Sequence, residues 1–206
     1  EAVPGILKSY DPEVVRFFIL TAHYRSPVDF SDQNLKEAQA GLSRFYEALH
    51  SAAVAVEGCL EAEAPAEEGA DLETQFRAAM DDDFNTALAI GHMFDAVRAI
   101  NRILAEENTL QGRLQEILGR GRDDLLRLGE VLGLFVSEPS AWLARSAQEG
   151  LSESGLSAKE IESLILERRE ARANKDFARS DQIRDDLAAK GIQLLDGPEG
   201  TTWKMK

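Results

Sequence analysis

The sequence predicts a mainly α-helical protein: a helical bundle followed, over residues 158–206, by a small α+β module of two helices and a β-hairpin. Two observations predict the bundle. Apolar residues recur every three or four positions through most of the chain before residue 137, and helix-start signals precede these runs. The ending GIQLLDGPEGTTWK predicts the hairpin, because aliphatic and β-branched residues flank a Gly-Pro-Glu-Gly turn. An acid, Asp196, precedes this turn, and Trp203 follows it.

The beginning of the chain predicts two helices. The first begins with Asp11 as N-cap and Pro12 at the first helical position, a combination that favours a helix start. It ends at the Arg-Ser-Pro sequence of 25–27, because a proline disfavours the helical conformation in the residue before it. A second helix begins at Ser31 and keeps its apolar spacing to about Val56.

The middle of the chain is predicted to be a bundle domain preceded by a loop. Residues 57–70, EGCLEAEAPAEEGA, are acidic and small, which is typical of a surface loop. The helical pattern then predicts a bundle domain over 71–136 that packs with 31–56. Its last part is predicted as two helices, 110–118 and 122–133, separated at Gly-Arg-Gly.

Three consecutive aspartates, Asp81 to Asp83, suit either a divalent cation or a helix start. We favour the helix start, with Asp83 as N-cap, because no further oxygen ligands are arranged around the triplet in the sequence. The histidines are widely spaced and are expected to be ordinary packed or surface residues: His23, His50 and His92. No P-loop, G-x-S-x-G or G-x-G-x-x-G motif occurs, so the sequence predicts no catalytic residue and no metal ligand in this chain.

The last fifty residues predict a separate module after a linker. Residues 137–157 are rich in Ser, Gly and Pro and are expected to form a linker with one short apolar turn. Ser157 and Glu160 then make a capping box, and Asn-Lys-Asp, 174–176, turns the chain into a second helix. That helix is predicted to end at Gly191. Its inward residues are predicted to be Phe177, Ile183 and Leu187.

Composition restricts the function classes. A net charge of −14 argues against general nucleic-acid affinity and against a DNA-binding role. Residues 159–206 are balanced, however, with ten basic and ten acidic side chains, so they are the least repulsive surface for an anionic partner. The sequence holds no apolar run long enough for a membrane span and no signal-peptide layout at its start. The single cysteine, Cys59, allows no internal disulfide, and we expect a cytoplasmic protein.

Basic residues gather where the two helices of the small module meet. Two interpretations are open: a solvated face stabilised by pairs with neighbouring acids such as Glu167 and Glu170, or a surface for an anionic ligand. Periodicity favours the solvated face. The residues concerned are Arg168, Arg169, Arg172, Lys175 and Arg179.

Three stretches in the right order give a specific likeness to a known family: SYDPEVVRFFILTAHYRSPVDFS, DDDFNTALA and RREARANKDFARSDQIRDDLAAKGIQLLDGPEGTTWK. Together they resemble the C-terminal part of bacterial cysteinyl-tRNA synthetases, nearly from end to end. The likeness implies a stem-contact-like helical region over 1–56, a bundle of the class I synthetase anticodon-binding type over 71–136, and an anticodon-binding module from 158. It also implies that the catalytic and zinc sites lie outside this chain, so that ATP and zinc belong to the full-length enzyme.

The resemblance also implies a set of RNA-binding residues in the small module. Asp181 and Asp196 match the family's base-recognising carboxylates, which accept hydrogen bonds from the Watson–Crick edge of guanine or the amine of cytosine. Arg172 matches its guanine-contacting arginine. Phe177 and Trp203 either stack on bases or form the module's core. Arg169 and Lys175 complete the expected RNA-binding set.

The resemblance therefore predicts the tRNA-binding and anticodon-recognising part of a cysteine–tRNA ligase, an enzyme that attaches cysteine to its tRNA using ATP. The expected partner is a tRNA with the anticodon GCA, bound by a monomer. Tyr24 and Arg25 either contact the tRNA backbone or cap the first helix. Two alternatives stay open: a related ligase that joins cysteine to an amino-sugar, and a helical module that binds protein.

Overall fold

A computed structural model describes residues 3–7, 9–56, 72–105, 113–197 and 200–205. The predicted acidic loop of 57–70 lies outside these ranges. The chain divides into two compact units, Glu1–Ser140 and Ala141–Lys206, named here the bundle unit and the small unit. None of the helices in the described ranges has both the length and the hydropathy needed to span a membrane.

The bundle unit is helical throughout, as predicted. Its elements are α1 (Val3–Ile6), α2 (Pro12–Leu20), α3 (Asp32–Val56), α4 (Leu72–Asp81), α5 (Thr86–Ala105) and α6 (Arg113–Leu132). The side chain of Asp11 accepts a hydrogen bond from the Glu13 backbone at 2.8 Å, which confirms the predicted cap of α2. The Ser31 hydroxyl likewise accepts from the Asn34 backbone at 3.2 Å, at the predicted start of α3.

Aromatic rings form the centre of the bundle unit. The ring of Phe45 lies 4.3 Å from that of Phe94, 5.3 Å from that of Phe135 and 5.9 Å from that of Phe17, centroid to centroid. The close approach of α2 to α3 depends on Gly41, where a Cβ atom would lie 3.0 Å from the Phe17 ring. These contacts explain why α3, with buried residues at three- and four-residue intervals, forms the central helix of the unit.

A buried carboxylate joins three segments of the bundle unit. Glu13 is only 5% exposed, and its oxygens accept hydrogen bonds from the Tyr46 hydroxyl at 2.8 Å and the Phe135 backbone N–H at 2.5 Å. Burial and the neighbouring Glu13 carboxylate raise the pKa of Tyr46 far above its usual value. Arg16, one turn further along α2, donates to the carbonyl of Gly133 at 3.0 Å. Helix α2 therefore holds the segment that follows α6.

The predicted break at Gly-Arg-Gly is wrong, since α6 continues through it as one helix. The apolar side of α6 is uninterrupted across both glycines, with four buried leucines: Leu118, Leu125, Leu128 and Leu132. Gly121 lies close to Ile100 of α5, where a Cβ atom would meet the isoleucine side chain at 3.6 Å. Packing of this face offsets the cost of about 1 kcal/mol that a glycine adds to a helix interior.

The predicted cap at Asp83 is also wrong. Helix α5 begins later, at Thr86, and the side chain of Asn85 accepts the capping hydrogen bond from the Leu88 backbone at 3.1 Å. Asp83 instead has a positive φ of 57°, and its carboxylate accepts hydrogen bonds from Tyr24 at 2.7 Å and Arg25 at 3.0 Å. Tyr24 and Arg25 therefore connect the end of α2 to the α4–α5 turn, a contact that no local pattern indicates.

The segment 137–157, expected to be a linker with one short turn, contains a sixteen-residue helix, α7 (Pro139–Ser154). Proline at the first position favours this helix start, and Trp142 is buried at 2% exposure. Serine and glycine weaken the helical signal of the sequence, whereas burial of an apolar side chain stabilises the helix in the folded chain.

The small unit has the predicted architecture of two helices and a hairpin. After α7 it consists of α8 (Ala158–Ala173), α9 (Phe177–Ala189), β1 (Ile192–Gly197) and β2 (Gly200–Met205), with the strands antiparallel. The Ser157–Glu160 capping box is confirmed, and Gly191 ends the helical segment with a φ of +78°. Its core contains the buried residues Ile161, Ile183, Leu187 and Ile192. Phe177 is 62% exposed, so its predicted inward position is wrong.

Replacing Glu13 by alanine should destabilise the bundle unit, because the Tyr46 hydroxyl and the Phe135 N–H would lose a buried acceptor. A buried donor left unpaired costs about 1–3 kcal/mol. The expected result is a lower urea midpoint in circular dichroism. Glu37→Ala, at an exposed position of α3, is the matched control and should leave the midpoint nearly unchanged. Equal midpoints for the two variants would contradict the role given to Glu13.

Candidate functional site

The hairpin places Asp196 against helix α8. Asp196 pairs with Thr201 in the register of the two strands, one position before the turn. Its carboxylate accepts two parallel hydrogen bonds from Arg168, Nη1 to Oδ1 and Nη2 to Oδ2, both at 2.9 Å. The side chain of Arg168 is only 4% exposed, whereas that of Asp196 is 48% exposed. The pair therefore has a buried cation and a carboxylate that reaches the surface.

Two further donors reach the same carboxylate. The Thr201 hydroxyl donates to Asp196 Oδ1 at 2.6 Å, and Arg172 Nη1 donates to Oδ2 at a longer 3.4 Å. The Arg168 guanidinium, with help from the Thr201 hydroxyl, holds the pKa of Asp196 far below its usual range. The same contact raises the pKa of Arg168. Asp196 is thus ionised, with a carboxylate plane set by the guanidinium of Arg168.

Arg172 lies at the surface edge of this cluster. It follows Arg168 by four residues, so both side chains lie on one face of α8. Its Nε donates to the Ser180 hydroxyl of α9 at 3.3 Å, and about half of its side chain is exposed. Arg172 therefore offers free donor capacity to solvent while it is oriented from both α9 and the hairpin.

Asp181 is the second carboxylate at this end of the unit. It lies on α9 with its side chain 59% exposed, and its recorded ion pair is with Arg184 at 3.3 Å, within one helical turn. Asp181 directly follows Ser180, whose hydroxyl accepts a hydrogen bond from Arg172 Nε at 3.3 Å. An exposed acid and an exposed arginine therefore lie at the same corner of the fold.

The other predicted RNA-binding residues lie outside the hydrogen-bonded cluster of Arg168, Arg172, Ser180, Asp196 and Thr201, as far as the described ranges show. Phe177 presents its ring to solvent, whereas Trp203 is partly buried against the core of the small unit. Arg169 and Lys175 are exposed.

Each of the two interpretations of the basic residues fits a different arginine. Arg179 donates to Glu167 through Nε at 2.8 Å and pairs with it through Nη2 at 2.7 Å, which is the solvated ion pair that periodicity favoured. Arg172 has the exposed guanidinium that a ligand surface needs. The expected set of site residues omitted Arg168. The four-residue spacing of the two arginines in RREAR was the available signal, and it could not reveal that Arg168 lies under the hairpin.

In the ranges that the structure describes, no three His, Cys, Asp or Glu side chains come together as a metal site would require.

Three family models match segments of this chain. The cysteinyl-tRNA ligase anticodon binding domain matches residues 154–203, which include the whole Arg168–Asp196 cluster. The DALR domain matches 75–136. The model of the class I (C) tRNA synthetase catalytic domain matches 2–40, within the stretch that the sequence likened to a stem-contact region.

Two curated relatives are similar to this chain over nearly its whole length. The cysteine–tRNA ligase of Syntrophotalea carbinolica is 59% identical over 99% of this chain, and that of Geobacter sulfurreducens is 54% identical over 99%. The chain belongs to the cysteine–tRNA ligase family. It spans 43% of the length of each of these two relatives.

The Arg168–Asp196 cluster lies within the segment that matches the anticodon binding domain of cysteinyl-tRNA ligases. The three matched segments account for most of the described chain, and the mainly helical fold with a two-stranded antiparallel sheet is confirmed.

The Arg168–Asp196 pair should make the stability of the small unit depend on pH. Because the folded-state pKa of Asp196 is lowered, its stabilising contribution is present above the unfolded value of about 3.9 and is lost as the pH falls below it. Trp203 packs against the core of the small unit, so its fluorescence follows the unfolding of that unit.

The measurement compares the urea midpoint at neutral pH and near pH 3 for the wild type, Asp196→Asn and Asp186→Asn. We expect Asp196→Asn to lower the midpoint at neutral pH and to flatten its fall with acid. Asp186→Asn, an exposed control on α9, should behave as the wild type does. A fall of equal steepness in Asp196→Asn and in the wild type would contradict the assignment.

Proposed function

We propose that the small unit binds the anticodon of a cysteine tRNA, as the tRNA-recognising part of a cysteine–tRNA ligase. The observation that carries this proposal is that Arg172 contacts both Asp196 and Ser180, the residue before Asp181, in a segment that matches the family's anticodon binding domain. An exposed arginine donates to the acceptors of an unstacked base, and an exposed carboxylate accepts from its donors. Phosphate offers acceptors only, so a site with both groups suits a base edge better than a phosphate.

The two arginine contacts to Asp196 differ in length. Arg172 lies 3.4 Å from Asp196 Oδ2, whereas Arg168 lies 2.9 Å from the same oxygen. The amine or imino N–H of an incoming base donates to the exposed side of Asp196, and the solvent-facing nitrogens of Arg172 donate to a base or phosphate acceptor. Asp181 accepts from a second base edge. The Arg168 contact is kept throughout.

Charge distribution supports a local interface. Residues 159–206 are balanced in charge, whereas the remainder of the chain carries the net −14. Because phosphate affinity depends on the number of cations that neutralise phosphates, recognition by the small unit should be salt-sensitive with a shallow slope.

We propose further that the whole protein attaches cysteine to a tRNA with the anticodon GCA, using ATP, and acts as a cytoplasmic monomer. The family resemblance assigns zinc and ATP to the full-length ligase. The amino-sugar ligase alternative explains neither the cluster nor the anticodon binding domain match over 154–203.

Anticodon recognition is testable by fluorescence anisotropy. The wild-type chain should bind cysteine tRNA more tightly than the same tRNA with its first anticodon base changed. Asp181→Ala should weaken binding of the unchanged tRNA by about 1–3 kcal/mol and reduce the difference between the two RNAs. Asp186→Ala, on the same helix, is the control and should retain that difference. Equal binding of both tRNAs by the wild type would overturn the proposal.

Alanine variants of Phe177 and Trp203 should show which ring stacks on RNA and which ring packs in the core. Phe177→Ala should weaken RNA binding by about 1–3 kcal/mol, because an exposed ring offers a stacking surface, and should leave the melting temperature unchanged. Trp203→Ala should lower the melting temperature, because this ring packs against the core. Circular dichroism melts and anisotropy give the two readouts. A Phe177→Ala variant that binds as the wild type does would remove Phe177 from the interface.

A further inference from the structure

Arg168 is buried beneath the candidate interface. Its side chain is 4% exposed, and both of its terminal nitrogens donate to Asp196. An RNA group could reach these nitrogens only by displacing the Asp196 carboxylate and opening the hairpin from α8. Arg168 therefore acts on the interface from within the fold.

The orientation of Arg172 depends on this buried contact. Asp196 Oδ2 accepts from Arg168 Nη2 and also from Arg172 Nη1. The position of that oxygen, which the fork of Arg168 determines, thus sets one end of the Arg172 guanidinium. Ser180, itself 2% exposed, sets the other end through Nε.

The contact is poorly suited to stability alone. The Nε atom of Arg168 is buried, and within the described ranges it has no hydrogen-bond partner. Buried polar groups without partners are costly, and apolar pairs of similar volume stabilise a protein as well as buried ion pairs or better. A bidentate guanidinium does hold a carboxylate in one plane, which an apolar pair or a lysine ammonium cannot do.

We propose that Arg168 is a positioning residue for anticodon discrimination, one that touches no RNA and fixes Asp196 and, through it, the guanidinium of Arg172. This inference rests on the proposed function of the small unit. Arg168, a buried residue, thus determines the geometry of a site at the surface.

The test uses the whole 206-residue chain with Arg168→Lys, Arg168→Met and, as control, Arg145→Lys at an exposed position of α7. Anisotropy gives the ratio of dissociation constants for cysteine tRNA and for the tRNA with a changed first anticodon base, well below the melting temperature. NMR of the arginine Nε–H groups, without RNA, follows the ordering of Arg172.

Arg168→Lys should lower the ratio of the two dissociation constants about tenfold. Lysine keeps the positive charge but cannot donate two parallel hydrogen bonds to the Asp196 carboxylate. It should also give Arg172 the Nε–H signal of a mobile side chain, and Arg145→Lys should change neither readout. Arg168→Met should leave the salt slope of tRNA binding unchanged, whereas loss of a phosphate contact would reduce it by about one. If Arg168→Met does not fold, as tryptophan fluorescence would show, Arg168→Lys alone decides.

A discriminating wild type with an equally discriminating Arg168→Lys would overturn the positioning role alone. An unchanged Arg172 signal in Arg168→Lys, or a reduced salt slope in Arg168→Met, would do the same. A wild type that does not discriminate would overturn the proposed function, and the positioning role with it.

Discussion

The bidentate ion pair between Arg168 and Asp196 is the contact on which the candidate site depends. It joins α8 to the hairpin through two 2.9 Å hydrogen bonds and places one partner inside the fold and the other at the surface. Arg172 and Thr201 take their positions from the same carboxylate. Without this pair, Asp196 and Arg172 would lose the contact that sets their relative position.

The core of the small unit is limited. Four fully buried aliphatic residues, with partly buried neighbours such as Trp203, form the whole cluster beneath the hairpin. Domains of this size commonly need a cross-link besides the hydrophobic core, and a two-stranded hairpin is marginal by itself. The ion pair supplies a cross-link that also orients polar groups, so stability and recognition are coupled through one carboxylate. The bundle unit has its own buried carboxylate, Glu13, in a purely structural setting.

Local patterns predicted what local interactions decide. The caps at Asp11 and Ser157, and the glycine that ends α9, depend on atoms within a few residues and were recovered. Glycine in α6 misled the prediction, because a continuous apolar face outweighs a weak local propensity. Asp83 misled it in the same way: a cap and a partner for distant Tyr24 look identical in sequence.

The sequence by itself determined the helical bundle, the two-helix and hairpin module, the family likeness and the residue types of the candidate site, because periodicity, caps and turn residues are local. Only the tertiary structure decided that Arg168 is buried under Asp196, that Arg172 is held at its surface edge, and that Phe177 faces solvent while Trp203 packs inward. The physical reason is that a charge pair twenty-eight residues apart forms only when the hairpin packs on α8, and helical spacing carries no information about which side the hairpin will cover.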